Sequence, residues 1–94
     1  MEPKKWVGRR VKIVDGFPEN RGESGVVLAV DDTPYKPAAW VRTRDDGEYP
    51  SYRSVDLCWL QDEKTGETGP VWGTGGPEAA MALRRLKDMD RHGP

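Results

Sequence analysis

Cysteine and histidine, the side chains that most often serve as nucleophile, base or zinc ligand, are scarce in this chain. It holds one cysteine, Cys58, and one histidine, His92, so neither an intramolecular disulfide nor a Cys/His zinc set can be assembled. His92 stands next to the terminal Gly-Pro, where a chain end frays, whereas acid–base catalysis needs a base held against a nucleophile and an orienting group. Cys58 sits beside Trp59 with no adjacent cation to favour the thiolate, which reads as a structural thiol. Asp45, Asp46 and Glu48 gather negative charge, but they lack calcium-loop spacing and have the composition of a hairpin turn. Gly73-Thr74-Gly75-Gly76 precedes a helical stretch and has the glycines of an anion cradle, yet it lacks the Lys-Ser/Thr pair and a clear preceding strand. No catalytic residue, metal site or cofactor is assigned, and the expectation is a protein that is not an enzyme.

Binding chemistry is better represented. Residues 1–14 carry five bases (Lys4, Lys5, Arg9, Arg10 and Lys12) against one acid, while residues 15–33 carry five acids against Arg21. The formal net charge is -1, whereas a freestanding nucleic-acid binder usually has a net basic surface. The N-terminal stripe, helped by Arg42, Arg44 and Arg53, is a candidate phosphate contact; the same charges would also protect an edge strand from unwanted pairing. Trp6, Phe17, Tyr35, Tyr49, Tyr52 and Trp72 fall in or near predicted loops, outside the strongest core positions, and Trp40 and Trp59 fall within strands. Rings in loops stack on bases, pack into a partner, or close the ends of a small domain. Trp72, flanked by Gly69, Pro70 and Gly73, either pins its segment to the domain or anchors a partner.

The elements that position these residues follow from periodicity. Ninety-four residues, 35% apolar and 33% charged, provide for one small domain and contain no run of ~20 apolar residues able to span a membrane. The absence of a leader-like segment and the single cysteine suggest a cytoplasmic protein. Residues 9–14 alternate with Val11 and Ile13 inward, and residues 24–30 place Val26, Leu28 and Val30 on one face and Val27 and Ala29 on the other. A third strand is expected over 38–44, a turn at 45–47, an edge strand over 48–53 because of Pro50, and a last strand through Val55, Leu57 and Trp59. These spacings predict a mainly β fold, a five-stranded antiparallel barrel or sandwich occupying residues 1–61. Residues 62–76 read as a Gly-rich acidic linker, and residues 77–91 as an amphipathic helix that opens with Pro77 and Glu78. Its stripe of Ala79, Ala82, Leu83, Leu86 and Met89 must lean on the sheet, on a second copy or on a partner, because so short a helix is marginal alone.

The run from Gly8 through Val11, Ile13 and Gly16, followed by Arg21-Gly22, Gly25 and Val27, resembles the KOW motif of SH3-like barrels in ribosomal proteins and transcription elongation factors. The likeness extends to the Asp46-Gly47 turn and the Val55-Asp56-Leu57 segment, covering about residues 7 to 60. It implies an SH3-like barrel that binds RNA or protein. Arg9 stands where the family often has an acid, Glu23 where it often has a base, and the loop at 17–20 is longer. The leading expectation is a docking module for a protein or nucleoprotein assembly of the transcription or translation kind, touching its partner through Phe17, Arg21, Tyr35, Tyr49, Tyr52, Trp72, Leu83 and Leu86. The alternatives are direct RNA or DNA binding through the basic stripe, or a homo-oligomeric structural subunit joined by the helix. The chain is accordingly either a monomer or a helix-mediated dimer.

Overall fold

The computed structural model describes residues 2–43 and 51–91. A 3-10 turn, Pro3–Trp6, leads into β1 (Arg10–Ile13), β2 (Ser24–Asp31), β3 (Ala38–Thr43) and β4 (Ser51–Asp56). A second 3-10 turn, Leu57–Trp59, then precedes β5 (Leu60–Asp62) and α1 (Gly76–Arg91). The strands form one antiparallel sheet in the order β4-β3-β2-β1-β5, the mainly β class with one C-terminal helix that the alternation predicts. The ladders end at β4 and β5, and among the described residues none joins these two.

Alternation sets which side chains enter the core. β1 buries Val11 and Ile13 and turns Arg10 and Lys12 outward, while β3 buries Ala39, Val41 and Thr43 and turns out Trp40 and Arg42. β2 departs from the simple expectation. Val27 pairs with Val41 but Ala29 pairs with Trp40, so Leu28 is an extra residue that shifts the phase of the strand. Gly25 and Val27 point inward before this bulge and Val30 packs against the core after it, which splits the expected Val26/Leu28/Val30 face. The corner at Gly25 depends on a close approach, because a Cβ there would run into the Arg42 carbonyl on β3.

The expected last strand through Val55, Leu57 and Trp59 is divided. Val55 ends in β4, and Leu57 leaves the ladder to donate its backbone N–H to the Pro37 carbonyl at 2.7 Å. The resulting 3-10 turn redirects the chain to the far side of β1, where Leu60 pairs with Ile13. The turn at 45–47 and Pro50 lie outside the described residues.

Trp6 corrects the placement of the loop aromatics. It is fully buried, packed with Val11, Ile13, Val27, Val41, Leu57 and Leu60, and the 3-10 turn that carries it lies against β2. With few apolar residues available, one large ring supplies a disproportionate share of the buried surface. The segment expected as a linker over 62–76 is folded back onto the sheet. Asp62 Oδ1 accepts the N–H groups of Lys64 and Thr65 at 2.8 and 3.1 Å, and Gly69 donates to the Leu60 carbonyl at 2.9 Å. These local bonds convert an acidic, glycine-rich composition into an ordered turn.

α1 is built differently. Residues 81–89 are exposed, and the molecule measures 55 × 26 × 21 Å, so the helix extends the long axis instead of covering the sheet. Among the described residues, no helix is long and apolar enough to cross a membrane.

Candidate functional site

The base of α1 is joined to the β2–β3 loop by a short network. Tyr35 and Trp72 form an isolated antiparallel bridge, Lys36 N–H donates to the Val71 carbonyl at 2.6 Å, and Gly73 N–H donates to the Pro34 carbonyl at 2.9 Å. Gly73 is required there, since a Cβ would overlap the Thr33 carbonyl. Asp32 completes the joint: Thr74 donates its backbone N–H to Oδ1 at 2.9 Å and its hydroxyl to Oδ2. These two bonds hold the Asp32 carboxyl below its ordinary pKa, with slight burial opposing them and Lys4 adding a weaker attraction.

This joint leaves a cleft of about 590 Å³ between the loop and α1. Pro34, Tyr35 and Trp72 line one side and Ala80, Leu83, Arg84 and Lys87 the other. The two rings lie 5.1 Å apart, tilted by 44°, and Lys36 Nζ sits 5.4 Å from the Tyr35 ring centre. Three of the residues expected to touch a partner, Tyr35, Trp72 and Leu83, are thus brought together. Leu86 stands one turn further along α1, exposed, outside the cleft.

A second surface lies on the outer face of the sheet. Arg10 pairs with Val26, Val26 with Arg42, and Arg42 with Tyr52, giving one row across four strands. Trp40, between Ala29 and Ser54, occupies the next row, and Lys12 lies on the same face opposite Ser24 and Gln61. Trp40 is 51% exposed, although its place in a strand had set it apart from the loop aromatics. The signal that reveals it is the buried pair Ala39 and Val41 on either side, which forces Trp40 outward.

The remaining expected contacts are dispersed or already engaged. Phe17 makes an edge-on contact with Trp59 at 6.0 Å, and Arg21 binds within its own loop through the Gly16 carbonyl at 3.1 Å and Asp15 at 3.8 Å. Arg9 lies 4.6 Å over the Trp6 ring and pairs with Glu67 at 3.2 Å and Asp62 at 3.6 Å, so it leaves the set of cations free for phosphate. Arg53 turns to the Glu23 carboxylate at 3.5 Å. Lys4 and Lys5 are exposed on the N-terminal turn, and Tyr49 and Arg44 lie outside the described residues.

Cys58 is half-buried, and burial, reinforced by the Asp56 carboxylate, pushes its thiol pKa up, away from a reactive thiolate. Among the described residues no group of three or more His, Cys, Asp or Glu is placed to hold a metal ion. Comparison with protein-family models, with curated proteins and with solved structures finds no significant match to the chain.

Proposed function

We propose that this chain is a non-catalytic docking module that attaches to a protein or nucleoprotein assembly through α1 and the cleft at its base. One observation carries this reading: Leu83, Leu86 and Met89 are 40%, 59% and 70% exposed on a helix that the Asp32–Thr74 bonds anchor at its N-terminal end. An apolar stripe left in water on a helix this short is stabilised when a partner covers it. The KOW-like run, with β5 paired to β1 after a 3-10 turn, supports an SH3-like barrel and an assembly of the transcription or translation type. The single cysteine suits a reducing, cytoplasmic setting. Affinity capture with the intact chain and with Leu83→Asp/Leu86→Asp tests the reading. A partner retained by the first and lost by the second is expected, and identical captures would refute it.

Direct nucleic-acid binding is the second reading, favoured by the Arg10–Val26–Arg42–Tyr52 row with Trp40 beside it. Two guanidiniums and two exposed rings on one face suit a single strand, with phosphates on the arginines and bases on the rings. Fluorescence anisotropy with labelled random single-stranded RNA and with duplex DNA, at low and near-physiological salt, tests it. Affinity that falls log-linearly with salt, and is weakened by Arg10→Ala/Arg42→Ala, would support this surface; no binding at low salt would remove it.

A further inference from the structure

The cleft is apolar at its floor and cationic at its rim. Pro34, Tyr35, Trp72 and Leu83 supply the apolar walls, and among the described residues the charged ones lining it are Arg84 and Lys87. Lys36 adds a third cation beside the Tyr35 ring. The carboxylate of the joint, Asp32, is engaged by Thr74 and does not line the cleft. At 100° per residue, Ala80, Leu83, Arg84 and Lys87 share one face of α1, so whatever lies along the cleft meets both cations while it buries Leu83.

Charge distinguishes the occupants. A second copy packing α1 against α1 would bring Arg84 and Lys87 of each helix toward those of the other, a like-charge approach that costs free energy as the site loses water. A nucleic acid would satisfy the cations but would leave an aliphatic wall of Pro34, Ala80 and Leu83 with little to stack on. An acidic segment with apolar side chains satisfies both parts of the cleft. We propose that the cleft between Tyr35–Trp72 and α1 binds an acidic amphipathic helical peptide of a partner protein, its apolar side chains against Trp72 and Leu83 and its carboxylates toward Arg84 and Lys87. This rests on the docking reading above and names the chemistry of the partner.

The test uses the full chain, isotopically labelled, titrated with three synthetic helical peptides: Leu/Glu amphipathic, the same peptide with Lys for every Glu, and the same peptide with Ser for every Leu. Chemical-shift changes at the Trp72 indole and at residues 80–87 with the Leu/Glu peptide are expected, with affinity at least about tenfold above either control. Each Arg84→Glu or Lys87→Glu change, made on an exposed helix face, is expected to weaken the Leu/Glu peptide and strengthen the Leu/Lys one. Equal binding of the Glu and Lys peptides at the cleft would overturn the acidic assignment and leave docking standing. Absence of any peptide effect there, with the same residues shifting on added single-stranded RNA or on raising the protein concentration, would overturn both.

Discussion

Asp32 and Thr74 lie 42 residues apart in the chain and are bonded twice, through the Thr74 amide and through its hydroxyl. The pair helps to fix where α1 leaves the domain, because Thr74 is two residues before the helix and Asp32 is the first residue after β2. The direction of the helix, and with it the cleft, therefore depends on this carboxylate together with the Tyr35–Trp72 bridge and the Lys36–Val71 and Gly73–Pro34 backbone bonds.

That dependence makes the joint acid-sensitive. Asp32 has a folded pKa below its ordinary value, so its contribution is fully present above the ordinary carboxylate pKa of about 3.9 and is lost as pH falls through the depressed value. Because the pair is exposed, solvent screening keeps the contribution to about 1 kcal/mol or less. Titration from pH 7 to pH 2 should move the Thr74 amide resonance with a midpoint below that of a model aspartate. Asp32→Asn should abolish this titration while leaving the melting temperature of the sheet nearly unchanged; a persisting transition would reject the pairing.

The sheet is expected to respond elsewhere. Trp6 fills the centre of the core, and replacing it with alanine removes a fully buried indole whose loss costs about 3–5 kcal/mol. A domain of this size has total stability on the order of 5–15 kcal/mol, so Trp6→Ala should lower the denaturant midpoint severely. An unchanged midpoint would show that the N-terminal turn is dispensable.

Gly25→Val tests the close approach of β2 to β3 at the start of β2. A side chain there meets the Arg42 carbonyl, and the ladder must open to admit it. A loss of about 1 kcal/mol or more is expected, read as a fall in melting temperature of at least about 4 °C. A wild-type melting curve would mean that β2 and β3 do not approach so closely.

The contrast between Gly25 and Trp6 shows what the sequence makes legible. Alternation at Val11/Ile13 and Ala39/Val41 identifies the strands and their inward faces, because a period of two is a local property. The glycine at 25 is readable from local sequence too, as the glycine that stands where a loop passes into the Val26-Val27 run. Trp6 is not, since the decision to bury a ring four residues before β1 is made by the space left between strands that come later in the chain. The bulge at Leu28 arises in the β2–β3 ladder and has no mark in the residues alone. Tyr35, Trp72 and Leu83 are recognisable as candidates by type, but their convergence requires the Asp32–Thr74 and Tyr35–Trp72 contacts across the chain. Arg84 and Lys87 look like the solvated side of a helix until the loop opposite them is placed.

Arg9 separates two roles that composition merges. It belongs by position to the basic stripe, yet its guanidinium spans Glu67 and the largely buried Asp62 while covering Trp6. Arg9→Ala leaves those carboxylates without their cation and should cost about 1–3 kcal/mol, whereas Lys12→Ala, outward on β1, should change stability by less than about 0.5 kcal/mol. Urea unfolding of the two variants measures the difference, and equal losses would return Arg9 to the set of surface cations.

Leu86 provides the sharpest separation between a helix that belongs to the fold and one that serves a partner. It is 59% exposed and belongs neither to the cleft lining nor to the buried cluster, so Leu86→Asp removes nothing from the core of the sheet. Melting of the isolated variant should therefore stay within about 0.5 kcal/mol of the parent. Partner capture should fall, because an aspartate in the apolar stripe must be desolvated when the stripe is covered. A destabilised variant would mean that α1 folds back onto the sheet in solution, and unchanged stability with unchanged capture would mean that this turn of α1 lies beyond the contact, confining docking to the first half of the helix.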